Sequence, residues 1–320
     1  MEHILKFTFF SLFVFMCFTN SQAQEEIRFS NYKANQLFYN PAYAGTTGFM
    51  EGVLGYRKQW VDIEGAPETA SLSFQAPINY TNSGLGIVAY NNKLGIQSDV
   101  AIFINYGYHI QIGFKGNLSM GLQAGFIHKQ YNWGDLTFYD PYINSEISAS
   151  DPIVSDGTES SWVPNFGLGF YYYTPDYYLS LSIPRLLTND QISTGGISNN
   201  MSFDAESTFY YLGAGIKKSL NQEIDFSPSI FFVGSQKTSN LLSVNLDFEH
   251  ESGISAGAGY RSDSSWAALL GYQFNQKMKF SYSYEKSFGN STSNSNTTHE
   301  IILNYNLSLR KSQITSPRYF

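Results

Sequence analysis

The chain has 320 residues, and its 19 Lys and Arg stand against 26 Asp and Glu, a net charge of -7 that offers no basic surface for nucleic acid. Only 14% of residues are charged while 17% are aromatic, with 26 Phe and 24 Tyr; soluble globular domains carry about 25% charge. The single cysteine, Cys17, excludes a disulfide framework and a cysteine-ligated metal site in the chain that follows it.

Residues 1–23 hold Lys6, an apolar core from Phe7 to Phe18 and the small-x-small site Ser21-Gln22-Ala23 ahead of Gln24. This reads as a secretory signal peptide, because the core is too short to span a bilayer and polar residues follow at once. Cys17 lies inside that core behind Val14, Phe15 and Met16, which are not the small residues expected before a lipid-modified cysteine. Residues 24–50 form an N-terminal segment around "NPAYAG", Asn40 to Gly45. Pro41 fixes its own φ and drives Asn40 into an extended conformation, and Gly45 permits a reversal before the first strand. The motif is either a turn that launches the following domain or part of a plug-like element, Asn31 to Gly48, folded into its periplasmic mouth with Tyr43 wedged among lumen side chains, where it closes the pore or meets periplasmic partners.

Between residues 51 and 310 the sequence separates again and again into an apolar and a polar row with a period of two, the signature of strands. Candidate strands are 51–61, 69–77, 84–92, 98–113, 116–131, 164–174, 176–184, 207–218, 223–235, 241–249, 252–262, 264–275, 277–286 and 300–310. In "EIILNYNLSLR" Ile301, Leu303, Tyr305, Leu307 and Leu309 share one face, and Glu300, Asn304, Asn306, Ser308 and Arg310 the other. "LLSVNLDFE" and "KMKFSYSYEK" repeat the pattern, with Ser243, Asn245, Asp247 and Glu249, then Lys279, Ser281, Ser283 and Glu285, as polar rows. Most of these segments reach the roughly 9 to 11 residues that a tilted strand needs to cross hydrocarbon. The fold class predicted is all-β: a transmembrane antiparallel up-and-down β-barrel of about fourteen strands, an even number that puts both chain ends on the periplasmic side. Residues 311–320 are then a periplasmic tail. A soluble sandwich is the rival architecture, but fourteen long, tyrosine-rich strands would be an oversized case of it.

The connections at 115–117 and 275–277 read as tight turns, and those at 132–163, 185–206 and 289–298 as long extracellular loops. The loop carrying Asp140, Glu146, Asp151, Asp156 and Glu159 lacks the ligand order and central glycine of an EF-hand. His109 falls on the polar face of its strand and His128 on the apolar face of the next, so the two rings point to opposite sides of the wall; His250 sits at a strand end and His299 near one. No nucleophile motif accompanies any of them. The glycines of "GLGIVAY" and "SAGAGY" open no helix, which rules out a nucleotide loop; small residues there let a neighbouring backbone or side chain come close.

"NQLFYNPAYAGTTGF" followed by "GYRKQWVDIEGAPETASLSFQAPI" resembles the N-terminal signature of the PorP/SprF family, outer-membrane proteins associated with the type IX secretion system. The likeness runs on through "GLGIVAYNNKLGI", "VPNFGLGFYYYTPDYYLSLSIPRLL" and "SPRYF". Its motif residues are Asn40, Pro41, Ala42, Tyr43, Ala44 and Gly45, then Tyr56, Arg57, Gln59, Trp60, Gly65, Ala66, Pro67 and Thr69. The sequence departs from the family near Asn91 and Asn92, where an acidic residue is expected. The resemblance implies a non-catalytic barrel in outer-membrane lipid, with no cofactor. Its implied partners are a secreted type IX substrate or large adhesin, as in gliding motility, and periplasmic components of the system. A pore for small solutes is the other functional class that the polar rows allow.

Overall fold

The computed structural model describes residues 26–135, 138–140, 145–147, 157–189, 201–202, 204, 206–288 and 297–307. The expected signal peptide, the tail at 311–320, Asp151, Asp156 and most of the stretch at 289–298 lie outside the described residues, as do the side chains of Asp140 and Glu146. Fourteen main strands follow in chain order: β1 (Met50–Lys58), β2 (Glu68–Ile78), β3 (Ser83–Leu94), β4 (Gln97–Ile112), β5 (Gly116–Asn132), β6 (Thr158–Tyr173) and β7 (Tyr177–Ile183). The second half comprises β8 (Tyr210–Ile216), β9 (Ile224–Gly234), β10 (Leu241–His250), β11 (Ile254–Arg261), β12 (Ser265–Gln273), β13 (Met278–Ser287) and β14 (Thr297–Leu307). A short extra strand, Lys218–Ser219, continues β8 beyond Lys217 and pairs with the start of β9.

Every strand pairs antiparallel with its neighbours in sequence, and β1 pairs with β14 from Met50↔Leu307 to Lys58↔His299, so the sheet closes on itself. The period of two sorts side chains to the two surfaces of this wall. On β2, Thr69, Ser71, Ser73 and Gln75 are buried inside, whereas Leu72 and Phe74 face out; on β4, Ala101, Phe103 and Asn105 alternate with exposed Ile102, Ile104 and Tyr106. Ile104 is 61% exposed, Leu122 65% and Trp162 66%. An outward band of such residues is far larger than water tolerates and is what a lipid-facing barrel wall requires. All fourteen main strands belong to one closed sheet, which removes the sandwich alternative; two short two-stranded ladders, Phe138–Asp140 with Ser145–Ile147 and Thr188–Asn189 with Met201–Ser202, lie outside it.

The expected strict alternation of short and long connections does not hold, since β3–β4 and β11–β12 are also tight turns. β2–β3, β4–β5, β6–β7, β10–β11 and β12–β13 are joined by turns on the side where β1 begins; on the opposite side β5 and β7 end, and β6 and β8 start. Several strand ends differ from the apolar–polar alternation, by three residues or more at β1, β6, β8 and β14, which starts at Thr297 rather than 300. β1 stops at Lys58 rather than residue 61, because Trp60 takes a positive φ of 45° and the Gln59 amide turns to bond the Pro67 carbonyl. β6 starts at Thr158 rather than 164, since the polar "TESSW" continues the ladder against Trp133's neighbours, Asn132 to His128. Pro164 is tolerated inside β6 because β7 pairs only from Leu168 onward, leaving one edge of that stretch free of β7. β8 starts at Tyr210 rather than 207, and after Lys217, whose amide bonds the Asp176 carbonyl, Lys218–Ser219 resumes the pairing with β9 in the same register.

Candidate functional site

Fourteen strands enclose a lumen too wide for wall side chains alone to fill, and here residues 26–49 occupy it. The segment starts near the long-loop side, where Glu26 forms an ion pair with Arg185 and accepts a hydrogen bond from Tyr211 at 2.7 Å. It descends through two short 3₁₀ turns within Tyr32–Phe38, kinked at Asn35 (φ -139°, ψ 68°), and a 3₁₀ turn, Pro41–Tyr43, to enter β1 from the short-turn side. The segment reaches beyond the mouth and through the lumen, because its apolar side chains need the interior wall to bury against. Phe29, Tyr32, Leu37, Phe38 and Tyr39 pack with Tyr90, Phe103, Tyr211 and Phe231 of the wall into one core, and Tyr32 stacks on Phe231 at 4.8 Å.

Asn40–Gly45 is seated on glycine. Gly84, Gly107, Gly121 and Gly169 all face inward, and the register makes them consecutive neighbours across β3, β4, β5 and β6: Gly84↔Gly107, Gly107↔Gly121, Gly121↔Gly169. Together they form a trough with no side chains. A Cβ on Gly121 would overlap the backbone of Ala42, one on Gly107 the Ala44 carbonyl, one on Gly84 the Ala44 and Gly45 backbone, and one on Gly169 the Asn40 side chain. The close approach expected from the glycines of "GLGIVAY" is thus real, and its partner is the "NPAYAG" backbone.

The polar atoms of the motif are met in turn. Asn40 is extended, at φ -136° and ψ 113°, as the following proline requires, and its Oδ1 caps the 3₁₀ turn by accepting from the Ala42 amide at 2.9 Å. Its Nδ2 donates to Ser180 Oγ at 2.8 Å and to the Phe170 carbonyl at 3.0 Å. Gly45 has φ +84° and donates its amide to Gln75 Oε1 at 2.8 Å. Ser182, the cross-strand neighbour of Gly169, donates to the Tyr39 carbonyl at 2.7 Å. Tyr43 points among lumen side chains and meets Tyr171 edge-on at 5.3 Å.

The other motif residues separate by face. Arg57, 4% exposed, lies inside and links Ser30 Oγ (3.1 Å), Gln59 Oε1 (3.1 Å), Glu285 (3.4 Å) and Glu300 (3.5 Å). Arg261 forks onto both oxygens of Glu285 at 2.6 and 3.1 Å. The two carboxylates hold the lumen segment directly: Glu300 accepts the Ser30 and Asn31 amides at 2.7 and 3.0 Å, and Glu285 accepts the Ser30 hydroxyl. Charge-assisted bonds of this kind are roughly twice as strong as neutral ones. Tyr56 faces outward and donates to Glu68, and Thr69 faces inward and donates to Asn92 Oδ1 at 2.7 Å. Trp60, Gly65, Ala66 and Pro67 form the β1–β2 connection, where the Gly65 carbonyl accepts the Gly95 amide of the β3–β4 turn.

Alternation places Glu285 and Glu300 on polar rows without marking them as a site, and it does not single out Arg261. Their signal was position in an inward polar row: Glu300 is the cross-strand partner of both Arg57 and Ser283. "IPRLL" also proves structural, since Asn165 of "VPNFG" accepts the Leu186 and Leu187 amides at 3.0 and 3.2 Å and turns Arg185 inward toward Tyr90, Tyr211 and Glu26. His109 lines the lumen near Gly45, while His128 packs outside on Trp162 at 4.7 Å. The two rings lie on opposite faces, as the alternation requires.

The family profile described as type IX secretion system membrane protein PorP/SprF matches residues 21–305. The chain belongs to the PorP/SprF family. Among curated proteins none matches. Of solved structures, the CymD monoaromatic hydrocarbon channel is similar at 16% identity, covering 85% of this chain and 91% of its own, with a TM-score of 0.49. The outer membrane protein Omp33 of Acinetobacter baumannii is similar at 9% identity, over 81% and 98%, with a TM-score of 0.44. The barrel of this PorP/SprF protein is defined by its own strand register rather than by those likenesses.

Proposed function

We propose that this PorP/SprF protein resides in the bacterial outer membrane as a non-catalytic, plugged barrel that supports secretion or surface anchoring of a type IX partner such as a large adhesin. The observation that carries this reading is the occupied lumen. Residues 26–49 are held by backbone-to-glycine contact at one end and by the Arg57–Glu285–Glu300 cluster at the other, an arrangement suited to a scaffold that presents its loops rather than to an open channel. On this reading the short turns face the periplasm and the long connections face outward, where loops on a rigid scaffold serve recognition.

Deletion of the gene, followed by profiling of secreted and surface-bound proteins, tests the proposal. Loss of at least one type IX substrate from the cell surface is expected, and an unchanged surface proteome would refute it. Conductance of the purified barrel separates the runner-up, a small-solute pore: a steady, large open channel in the unmodified protein supports the pore instead.

A further inference from the structure

At the short-turn end the lumen segment leaves one side of the barrel unfilled. A cavity of ≈ 230 Å³ remains there against β10–β14, bounded by Lys33 and Tyr43 of the segment and by Glu51, Asp247, Glu249 and Lys279 of the wall. Two of its three carboxylates are already neutralised: Asp247 by Lys33 at 2.8 Å and Glu249 by Lys279 at 2.8 Å. Glu51 has no cationic partner among the described residues and is held only by the neutral amides of Gln75, at 2.6 Å, and Asn304. A carboxylate withdrawn from water without a countercharge is costly.

A smaller recess adjoins this cavity. It measures ≈ 10 Å³, about the room one water needs, and shares Ala34, Tyr43 and Glu51 as walls with the larger cavity. Asn35 and Ser73 line it, 2% and 1% exposed, and neither side chain has a hydrogen-bond partner. Buried polar groups of native proteins are nearly always satisfied. Inside the cavity itself the Asn304 and Asn306 carbonyl oxygens are also without donors. Glu51, without a countercharge among the described residues, and the Asn304 and Asn306 oxygens beside it are all acceptors, a set that a donor carrying positive charge would complement.

We infer that this cavity is a binding site for an alkylammonium or guanidinium group, a lysine or arginine side chain presented from the short-turn side, with Glu51 as its counter-ion. Two sources share that chemistry: a partner protein on that side, and Arg310, Lys311 and Arg318 of the chain itself, which follow β14 in sequence. The inference does not depend on the secretion reading, because it concerns only what the cavity binds.

The full-length barrel in detergent, titrated with arginine amide at low salt and followed by calorimetry, provides the test. Binding is expected to weaken at least tenfold in Glu51→Gln and to tighten in Asn306→Asp, which adds a second carboxylate without a cationic partner to the rim. A variant with Arg310, Lys311 and Arg318 all changed to Gln identifies the source: an affinity at least tenfold higher than in the unmodified chain assigns the site to the chain's own residues, and an unchanged affinity assigns it to a partner. Either result upholds the site. Equal binding by the unmodified chain and Glu51→Gln, or no binding by both the unmodified chain and the Gln-substituted variant, overturns it.

Discussion

Ser30 and Asn31 near the long-loop side and Asn40–Gly45 near the short-turn side belong to one lumen segment, yet different forces hold them. The upper contact is electrostatic: two buried carboxylates bind backbone amides and are themselves compensated by Arg57 and Arg261. The lower contact is steric: four glycines in register create a groove that fits a backbone and little else. Charge compensation concentrates stability in a few atoms, whereas shape spreads it over four strands. The two ends should therefore fail differently.

Arg57→Ala is the largest expected loss. It leaves Glu300 buried without its only cation and Glu285 with Arg261 alone among the described residues; removing one partner of a buried pair costs about 3–5 kcal/mol. The urea midpoint of the folded, heat-modifiable form should fall accordingly, and a midpoint unchanged from wild type would show that the cluster does not hold the segment. Arg57→Lys should recover only part of the loss, because an ammonium cannot reproduce the planar fork.

Next in size is the trough. Gly121→Val drives a branched side chain into the Ala42 backbone, and overpacking of this kind costs about 1–3 kcal/mol. Gly52→Ala is the matched control, since a Cβ there meets only ordinary contacts at 3.8 and 4.0 Å. Equal behaviour of the two variants would break the steric half of the comparison. Tyr43→Ala comes third: it should leave the barrel folded and raise its conductance, as the ring between Tyr171 and the residual cavity is removed. A conductance indistinguishable from wild type would mean that Tyr43 closes nothing.

The smallest effect is expected outside the membrane. Lys237 and Ser207 hydrogen bonds to Asp204, at 2.5 and 2.7 Å, bring its carboxyl down to about 2, against an ordinary value of about 3.9. A depressed carboxyl contributes its stability above the unfolded value and loses it as the pH falls through the folded one. Lys237→Ala should thus raise the Asp204 titration midpoint toward 4 while leaving thermal stability nearly unaltered, because the pair is exposed.

Composition and a period of two were enough to determine a barrel wall. Ile301 and Glu300, or Phe74 and Gln75, are assigned to opposite surfaces by alternation alone, and the count of strands follows from the turns between them. The "NPAYAG" turn was also locally legible: Pro41 imposes an extended Asn40, and Gly45 takes the positive φ. Alternation says which face a residue occupies, but a period of two carries no information about how one strand is offset against the next. Gly84, Gly107, Gly121 and Gly169 lie far apart in the sequence and become a single trough only through the register. Arg57 and Glu300, at the two ends of the barrel domain, meet only because β14 closes onto β1. The tertiary structure alone decided that the segment before β1 fills the lumen, and the reason is physical: a fourteen-strand wall leaves a space that its own side chains cannot close.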